Sequence, residues 1–243
     1  MTHVSIVIPT LNEATVLSDT LDRLNQLDPP AWEICVVDGG SQDETLVIAK
    51  AAGVIVVETD RLGRSIQMNQ GVAATTGDLI CFVHADTLVP TDMIAVITST
   101  LTDPTIAAGG FTALMTGKTT RWGISLHNWL KTYYAPLIFR PHLFFWRGMR
   151  LLFGDQVIFC RRQQFLDCQG YDPTLPIMEE ADLCLKLNRY GKIRQLNRIV
   201  QTSDRRVAQW GAWKATGIYL AIGVLWGLGV SATTLKRFYE EVR

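Results

Sequence analysis

Apolar residues in the first part of the chain come in short unbroken runs, separated by stretches where they recur every three or four positions. Residues 4–9 (VSIVIP), 33–38 (EICVVD), 54–58 (VIVVE) and 79–83 (LICFV) are runs of the first kind. They are rich in β-branched residues and too short for helices, so they read as strands covered on both faces. Between the first two runs Leu17, Leu21, Leu24 and Leu27 recur at helical spacing, and the pattern stops near Pro29-Pro30. Ser41 and Glu44 have the spacing of a capping box opening a second helix, which Gly53 would end. Residues 64–77 read as a third helix. Strand alternating with helix predicts an α/β fold with a mostly parallel central sheet, helices on both faces and right-handed crossovers.

The texture changes between residues 121 and 153, where Trp, Tyr and Phe crowd together among basic residues. Residues 155–162 (DQVIFCRR) then look like a return to strand. Residues 179–191 (EEADLCLKLNRYG) read as a short helix with Leu183 and Leu187 facing inward. No internal repeat or low-complexity linker interrupts the chain. Near the end, residues 215–235 form 21 residues without charge, but four glycines, three threonines and a serine weaken a simple spanning reading. A transmembrane helix, a helix lying on the bilayer and a protein–protein face all remain open. The basic flanks Arg205, Arg206, Lys214, Lys236, Arg237 and Arg243 suit anionic headgroups; the aromatic stretch with Arg140, Arg147 and Arg150 either meets the same surface or is ordinary core packing. Peripheral membrane association or dimerisation through the tail is the expectation.

Composition narrows the classes. A chain of 243 residues with 48% hydrophobic content is long enough for one sizeable domain. Its 23 basic residues balance 23 acidic ones, so no overall field favours nucleic acid. The five cysteines form no C-x-x-C pair and sit mostly in apolar runs, as packed, reduced thiols of a cytoplasmic protein do. The N-terminus lacks a basic region and a small-residue cleavage site, so no secretory signal is expected. Localisation is expected to be cytoplasmic, either free or at the cytoplasmic face of the membrane.

The chemistry concentrates where the strands end. Ligands of open parallel sheets bind beyond the carboxyl ends of the strands. Those ends carry Pro9-Thr10-Leu11-Asn12-Glu13, Asp38-Gly39-Gly40, Glu58-Thr59-Asp60 and His84-Ala85-Asp86. One rim would therefore hold Glu13, Asp38 and Asp86, which repel one another unless a cation or a donor-rich ligand lies among them. A nucleotide-sugar with a divalent metal meets both needs. Each segment alone has a plainer reading: Asp38-Gly39-Gly40 as a turn, Asn12-Glu13 as a helix start. Their joint placement is what points to a site.

As a set, SIVIPTLNEATVL, VVDGGSQDET, GRSIQMNQGVAATTGDLICFVHADT and GDQVIFCRRQQFLDCQGYDPTLPIMEEADLCLKL resemble glycosyltransferase family 2, with its GT-A fold. The match runs in order through residues 3 to 200 and is most similar to a bacterial subgroup named for association with radical-SAM and selenodomain proteins. The resemblance implies a GT-A domain over residues 1–204, with a nucleotide-sugar-binding half (1–116) and an acceptor half (117–204), followed by the apolar helical tail (205–243). It implies that Pro9, Thr10, Asn12 and Glu13 line the nucleotide pocket and that Asp38 contacts uracil or another base. Arg64 would bind the donor, or else be a solvated helix-start residue. Asp86 matches the last acid of the family's D-x-D metal motif, so it is the expected ligand of Mn²⁺ or Mg²⁺. His84 replaces the first aspartate; as a neutral donor it suits a ribose or diphosphate partner better than a metal ligand.

Transfer with inversion needs a carboxylate to take the acceptor's proton. Glu179, Glu180 and Asp182 lie at a helix start, where the dipole favours ionised carboxylates. The family shows Glu-Asp there and its aspartate is the presumed base. Here Glu180 takes that position, and which of the three acids serves is left open, as is a plain helix-start role. Gly154, Asp155 and Gln156 would lie on the acceptor side or form a strand-entry turn. The expected activity is metal-dependent, inverting transfer from a nucleoside-diphosphate sugar, UDP above all, to an unidentified hydroxyl or lipid phosphate. The rivals are a catalytically weak nucleotide-sugar-binding or membrane-scaffold protein and a sugar nucleotidyltransferase. The second is disfavoured because PTLNEAT lacks a glycine-rich loop, and no G-x-G-x-x-G follows an early strand to suggest a dehydrogenase.

Overall fold

The computed structural model of the protein describes residues 2–117 and 119–238, with the side chain of Arg206 left aside. Strands and helices alternate at first: β1 (Val4–Thr10), α1 (Ala14–Asn25), β2 (Glu33–Asp38), α2 (Thr45–Ala51), β3 (Ile55–Glu58), α3 (Arg64–Ala73) and β4 (Leu79–Phe82). A two-residue β5 (Thr87–Leu88), α4 (Met93–Leu101) and the long β6 (Ile106–Thr116) follow. The aromatic stretch forms two helices, α5 (Trp122–Phe139) and α6 (Pro141–Arg147). A 3-10 turn at Gly154–Gln156 then leads through β7 (Phe159–Arg161) and α7 (Arg162–Asp167) to α8 (Glu179–Leu187). The chain closes with β8 (Lys192–Ser203), α9 (Arg205–Trp210), α10 (Ala212–Gly227) and α11 (Ala232–Leu235).

All the strands among the described residues join one sheet in the order β3-β2-β1-β4-β7-β6-β8-β5. β1 pairs parallel with β2 and β4, β2 with β3, and β6 with β8. β7 runs antiparallel to β4 and β6, and β5 antiparallel to β8. The unbroken apolar runs follow from burial on both faces. Ile6, Ile8, Val36 and Cys81 join one core with Leu17, Leu21 and Leu24 of α1, while Val7, Val37, Ile80 and Phe82 join another with Met68 and Leu183. Successive side chains alternate between the two faces, so a run apolar at every position fills both cores.

Several details differ from the sequence pattern. Ser41 does not cap α2: its hydroxyl donates to Asp38 Oδ1, and Asp43 instead accepts from the Thr45 amide. Of residues 155–162 only Phe159–Arg161 are strand, because a 3-10 turn takes the first part. β6 and β8 are strands without a strand-like sequence pattern, since IAAGGFTALMT and KIRQLNRIVQTS show neither a dense β-branched run nor clean alternation. The apolar tail is not a detached segment: α10 packs on α5, and Ala215 joins Ile124 and Val207 in a small core of its own. Among the described residues no helix is long and apolar enough to cross a membrane. Arg243 lies outside the described residues.

The five cysteines are free thiols, four of them buried, in line with the packed, reduced reading.

Candidate active site

The loops after β1 and β2 are laced together. The Asn12 amide donates to Ser41 Oγ (2.8 Å), the Glu13 amide to Thr45 Oγ1 (2.8 Å) and the Ala14 amide to Asp43 Oδ2 (3.1 Å), while Asn12 Oδ1 accepts from the Gln42 amide (2.8 Å). From α3, Gln67 Nε2 donates to Thr10 O (2.7 Å) and Val37 O (2.8 Å), tying the two strand ends. Gly39 has no side chain because a Cβ there would press on Gln67. Pro9 and Thr10 thus end β1 beside a shaped ledge, with Asn12 exposed at its lip.

Asp38 is only 1% exposed. Its carboxylate accepts from Thr10 Oγ1 (3.2 Å), Ser41 Oγ (2.5 Å) and the amides of Gly40 (2.9 Å) and Ser41 (2.8 Å). It holds the turn, and these bonds occupy the group that the sequence assigned to the base.

The other two rim acids do converge, and the cation between them is a residue the sequence reading had placed on the tail. Arg205 Nη2 lies 2.8 Å from Glu13 Oε2 and 3.0 Å from Asp86 Oδ2. Burial raises the Glu13 pKa despite this partner, and the two acids hold Arg205 more firmly protonated although burial works against its charge. The His84–Asp86 turn is fixed from α1, where Thr20 Oγ1 donates to Ala85 O (2.7 Å). Arg205 follows directly on β8, so a long-range strand pairing brings it here. Its only sequence signal was an arginine just past a strand that the pattern had not revealed.

Glu179 and Glu180 open α8, with Met178 before them in the left-handed region at φ 66°. Arg64 Nη1 sits 3.4 Å from Glu179 Oε1 and 3.5 Å from Glu180 Oε1, so this residue pairs with the acids. Glu180 is 6% exposed, and burial, then the Glu179 charge beside it, push its pKa up to about 7. The helix dipole was expected to keep this group ionised; desolvation and like charge outweigh it. Asp182 turns elsewhere, pairing with Lys186 at 2.8 Å.

The Gly154–Gln156 turn joins the two sides. A Cβ on Gly154 would lie 2.6 Å from Glu180 Oε1 and would overlap His84 Nε2. The His84 imidazole and the Glu180 carboxylate therefore face the same small space. Asp155 is held by Asn128 Nδ2, and burial raises its pKa against the pull of the Lys131 ammonium. Lys131, whose own pKa burial lowers, feels both Asp155 and Glu180, and its Nζ rests 3.5 Å from the Phe153 ring centre. Neither Lys131 nor Asn128 was anticipated, because an aromatic helix gives no periodic signal for a polar pair turned inward. Gln156 is fully buried and ties the Phe153 amide (2.9 Å) to Thr132 (3.0 Å), a bracing role away from the cleft. Asn12, Val157 and Met178 all have positive φ, at 56°, 51° and 66°. For β-branched Val157 this costs free energy, and such outliers gather at functional sites.

No group of three or more His, Cys, Asp or Glu among the described residues is placed to hold a metal alone. What the cleft offers is the Asp86 carboxylate, two residues past His84, with Glu13 reaching the same Arg205. That donor set fits Mg²⁺ or Mn²⁺, which take few protein ligands and complete their shell with phosphate oxygens and water.

The family model for glycosyl transferase family 2 matches residues 5–169. The chain belongs to that family. The PGL/p-HBAD biosynthesis glycosyltransferase of Mycobacterium tuberculosis is 36% identical over 198 residues, which cover 75% of this chain and 68% of that protein. Glucosyl-3-phosphoglycerate synthase of the same species is 32% identical over 96 residues, 36% of this chain, and the chain spans 30% of that relative's length. The crystal structure of that synthase with Mn²⁺, UDP and glucosyl-3-phosphoglycerate superposes with a TM-score of 0.66 at 22% identity, covering 94% of this chain and 81% of that one. A Pyrobaculum calidifontis mannosyltransferase with GDP-Man and Mn²⁺ gives 0.68 at 18% identity, covering 98% and 68%. At these identities the likeness is one of fold, and this family 2 member has the GT-A fold.

Proposed function

We propose that this chain transfers a sugar, with inversion, from a nucleoside-diphosphate sugar to a hydroxyl or lipid-phosphate acceptor, with uridine as the nucleoside. The observation that carries the reading is the space beside Gly154, bounded at once by His84 Nε2 and Glu180 Oε1. Donor chemistry at a strand end and a carboxylate able to take a proton meet there. Membership of family 2 and the UDP bound by the synthase of similar fold support the donor class. The order of the motifs through the H-A-D and E-E-A-D segments supports the radical-SAM and selenodomain-associated subgroup.

In this reading the ledge of Pro9, Thr10, Asn12 and Glu13 carries the nucleoside, and Asp38 keeps the ledge in shape. Asp86, with His84 beside it, would hold Mn²⁺ or Mg²⁺ together with the diphosphate. Such a cation supplies charge neutralisation to a departing diphosphate. Glu180 accepts the acceptor's proton; a pKa of about 7 matches a base working near neutrality. Arg64 balances the charge of Glu179 and Glu180, and Lys131 with Asp155 forms the floor on the acceptor side. Residues 1–116 and 117–204 supply the two walls, and the segment beyond 204 contributes Arg205.

The test is release of UDP from a panel of UDP-sugars in the presence of Mn²⁺. Turnover that disappears in both Asp86→Ala and Glu180→Gln is the expected result. Tight donor binding without turnover under any acceptor would replace the enzyme reading with that of a binding scaffold.

A further inference from the structure

The helices that wall the acceptor side leave an apolar surface in solvent. On α5, Trp122, Leu126, Trp129, Leu130 and Leu137 are exposed, and their spacing places them on one helical face. On α10, which packs against α5, Trp213, Leu220 and Val224, with Leu228 at its C-cap, form a second exposed stripe on the face opposite buried Ala215 and Ile222. α6, also packed on α5, adds Phe145 and Trp146. Trp213 is 93% exposed and Trp146 84%, values a soluble surface does not need. Past Lys214 in its first turn α10 carries no charge, and its exposed positions Gly217, Leu220, Ala221 and Val224 are as apolar as its packed side, the pattern of a helix with a second apolar environment.

Charge identifies the occupant. Residues 121–153 contain five Lys or Arg and no Asp or Glu, and residues 205–238 contain the same five and none. Of these, Arg121 pairs with Asp204 (2.7 Å) and Lys131 and Arg205 face cleft acids, so the positive charge offered to solvent is carried by the others. Arg147, Lys214, Lys236 and Arg237 stand exposed around the apolar stripes. Six of the seven tryptophans also fall in these two segments. Tryptophan at the boundary of an apolar face, with exposed cations beside it, matches the headgroup layer of an anionic bilayer. A second copy of the same face would set cation against cation.

We infer that the face formed by α5, α6 and α10 seats on an anionic lipid surface, with the helices lying in the interface plane. The inference stands on this surface alone. Failure of vesicle binding leaves the donor chemistry untouched, and failure of donor turnover leaves the docking untouched.

The experiment is flotation of the full chain with phosphatidylcholine vesicles, with and without about a quarter phosphatidylglycerol. The protein should float with the anionic vesicles, and the bound fraction should fall at least about tenfold in Trp146→Ser/Trp213→Ser. Both side chains are in solvent, so the double variant should keep the parent's melting temperature. Arg147→Glu/Lys214→Glu should abolish the preference for anionic lipid. Absence of the chain from vesicles of either composition overturns the inference. So does flotation that the tryptophan substitutions leave unchanged. Sedimentation velocity separates the remaining occupant: a dimer lost on the same substitutions, with no vesicle binding, assigns the face to a second copy instead.

Discussion

Glu180 is held between opposing demands. Its pKa of about 7 makes it a usable base, and the burial that raises it opposes charge. Glu180→Gln should lower kcat by about 100-fold or more, and wild-type kcat should rise with pH through about 7, a dependence the variant lacks. The same shift governs stability. Because the folded-state pKa lies above the unfolded one, the native protein holds more protons between the ordinary glutamate range and pH 7, and stability falls as pH rises across that window. Glu13 and Asp155, also raised by burial, act in the same direction. Thermal melts from pH 5 to pH 8 should therefore decline less steeply in Glu180→Gln, which gains stability where it loses turnover.

Arg205 poses a second question at this scale. Its guanidinium engages the Asp86 oxygen that a divalent cation would use. A half-exposed ion pair contributes about 0.2–1 kcal/mol, so releasing Asp86 should tighten binding of Mn²⁺ alone by no more than about fivefold. Arg205→Ala titrated with Mn²⁺ by electron paramagnetic resonance checks this. An unchanged affinity would mean that the arginine and the cation do not compete.

Among elements, the turn at Gly154–Gln156 matters more than its length suggests. Gly154→Ala should fold, since the groups its methyl meets are side chains, yet turnover should drop steeply because His84 and Glu180 are both displaced. A melting temperature near that of the parent with activity lost is the expected pair of measurements. Equal activity would detach the turn from the chemistry. Elements whose identity is written locally were legible in the sequence: β2 spans Glu33–Asp38 as its apolar run predicts, and the α1 leucines are all buried. Elements made by distant pairing were not. The Ala-Ala-Gly-Gly start of β6 becomes strand because β8, far along the chain, runs beside it. The rim of Glu13 and Asp86 was visible as strand-end acids, but the partner joining them arrives through that same long pairing. Ionisation of Glu180 was misjudged for a related reason: a helix start is visible in sequence, whereas burial depth and the meeting with Arg64 are not.

For the molecule as a whole, charge balance conceals segregation: a neutral chain carries an acid-free helical layer on one side of an acidic cleft. That layer is also structural. Ending the chain at Gln209 would uncover Ile124 on α5 and the Phe139 ring that lies against Gly227. Such a truncation should melt several degrees below the full chain, at about 2–4 °C for each kcal/mol of lost packing, as followed by circular dichroism.

The cross-tied loops after β1 and β2 have a consequence of their own. Gln67 grips both strand ends, while Ser41, Asp43 and Thr45 clasp the Asn12–Ala14 backbone. In the proposed function these loops cradle the nucleoside, and that cradle is cast before any donor arrives. Little entropy is left for it to surrender on binding, so discrimination among bases is a matter of fit to a fixed mould and not of a mould that reshapes around its guest.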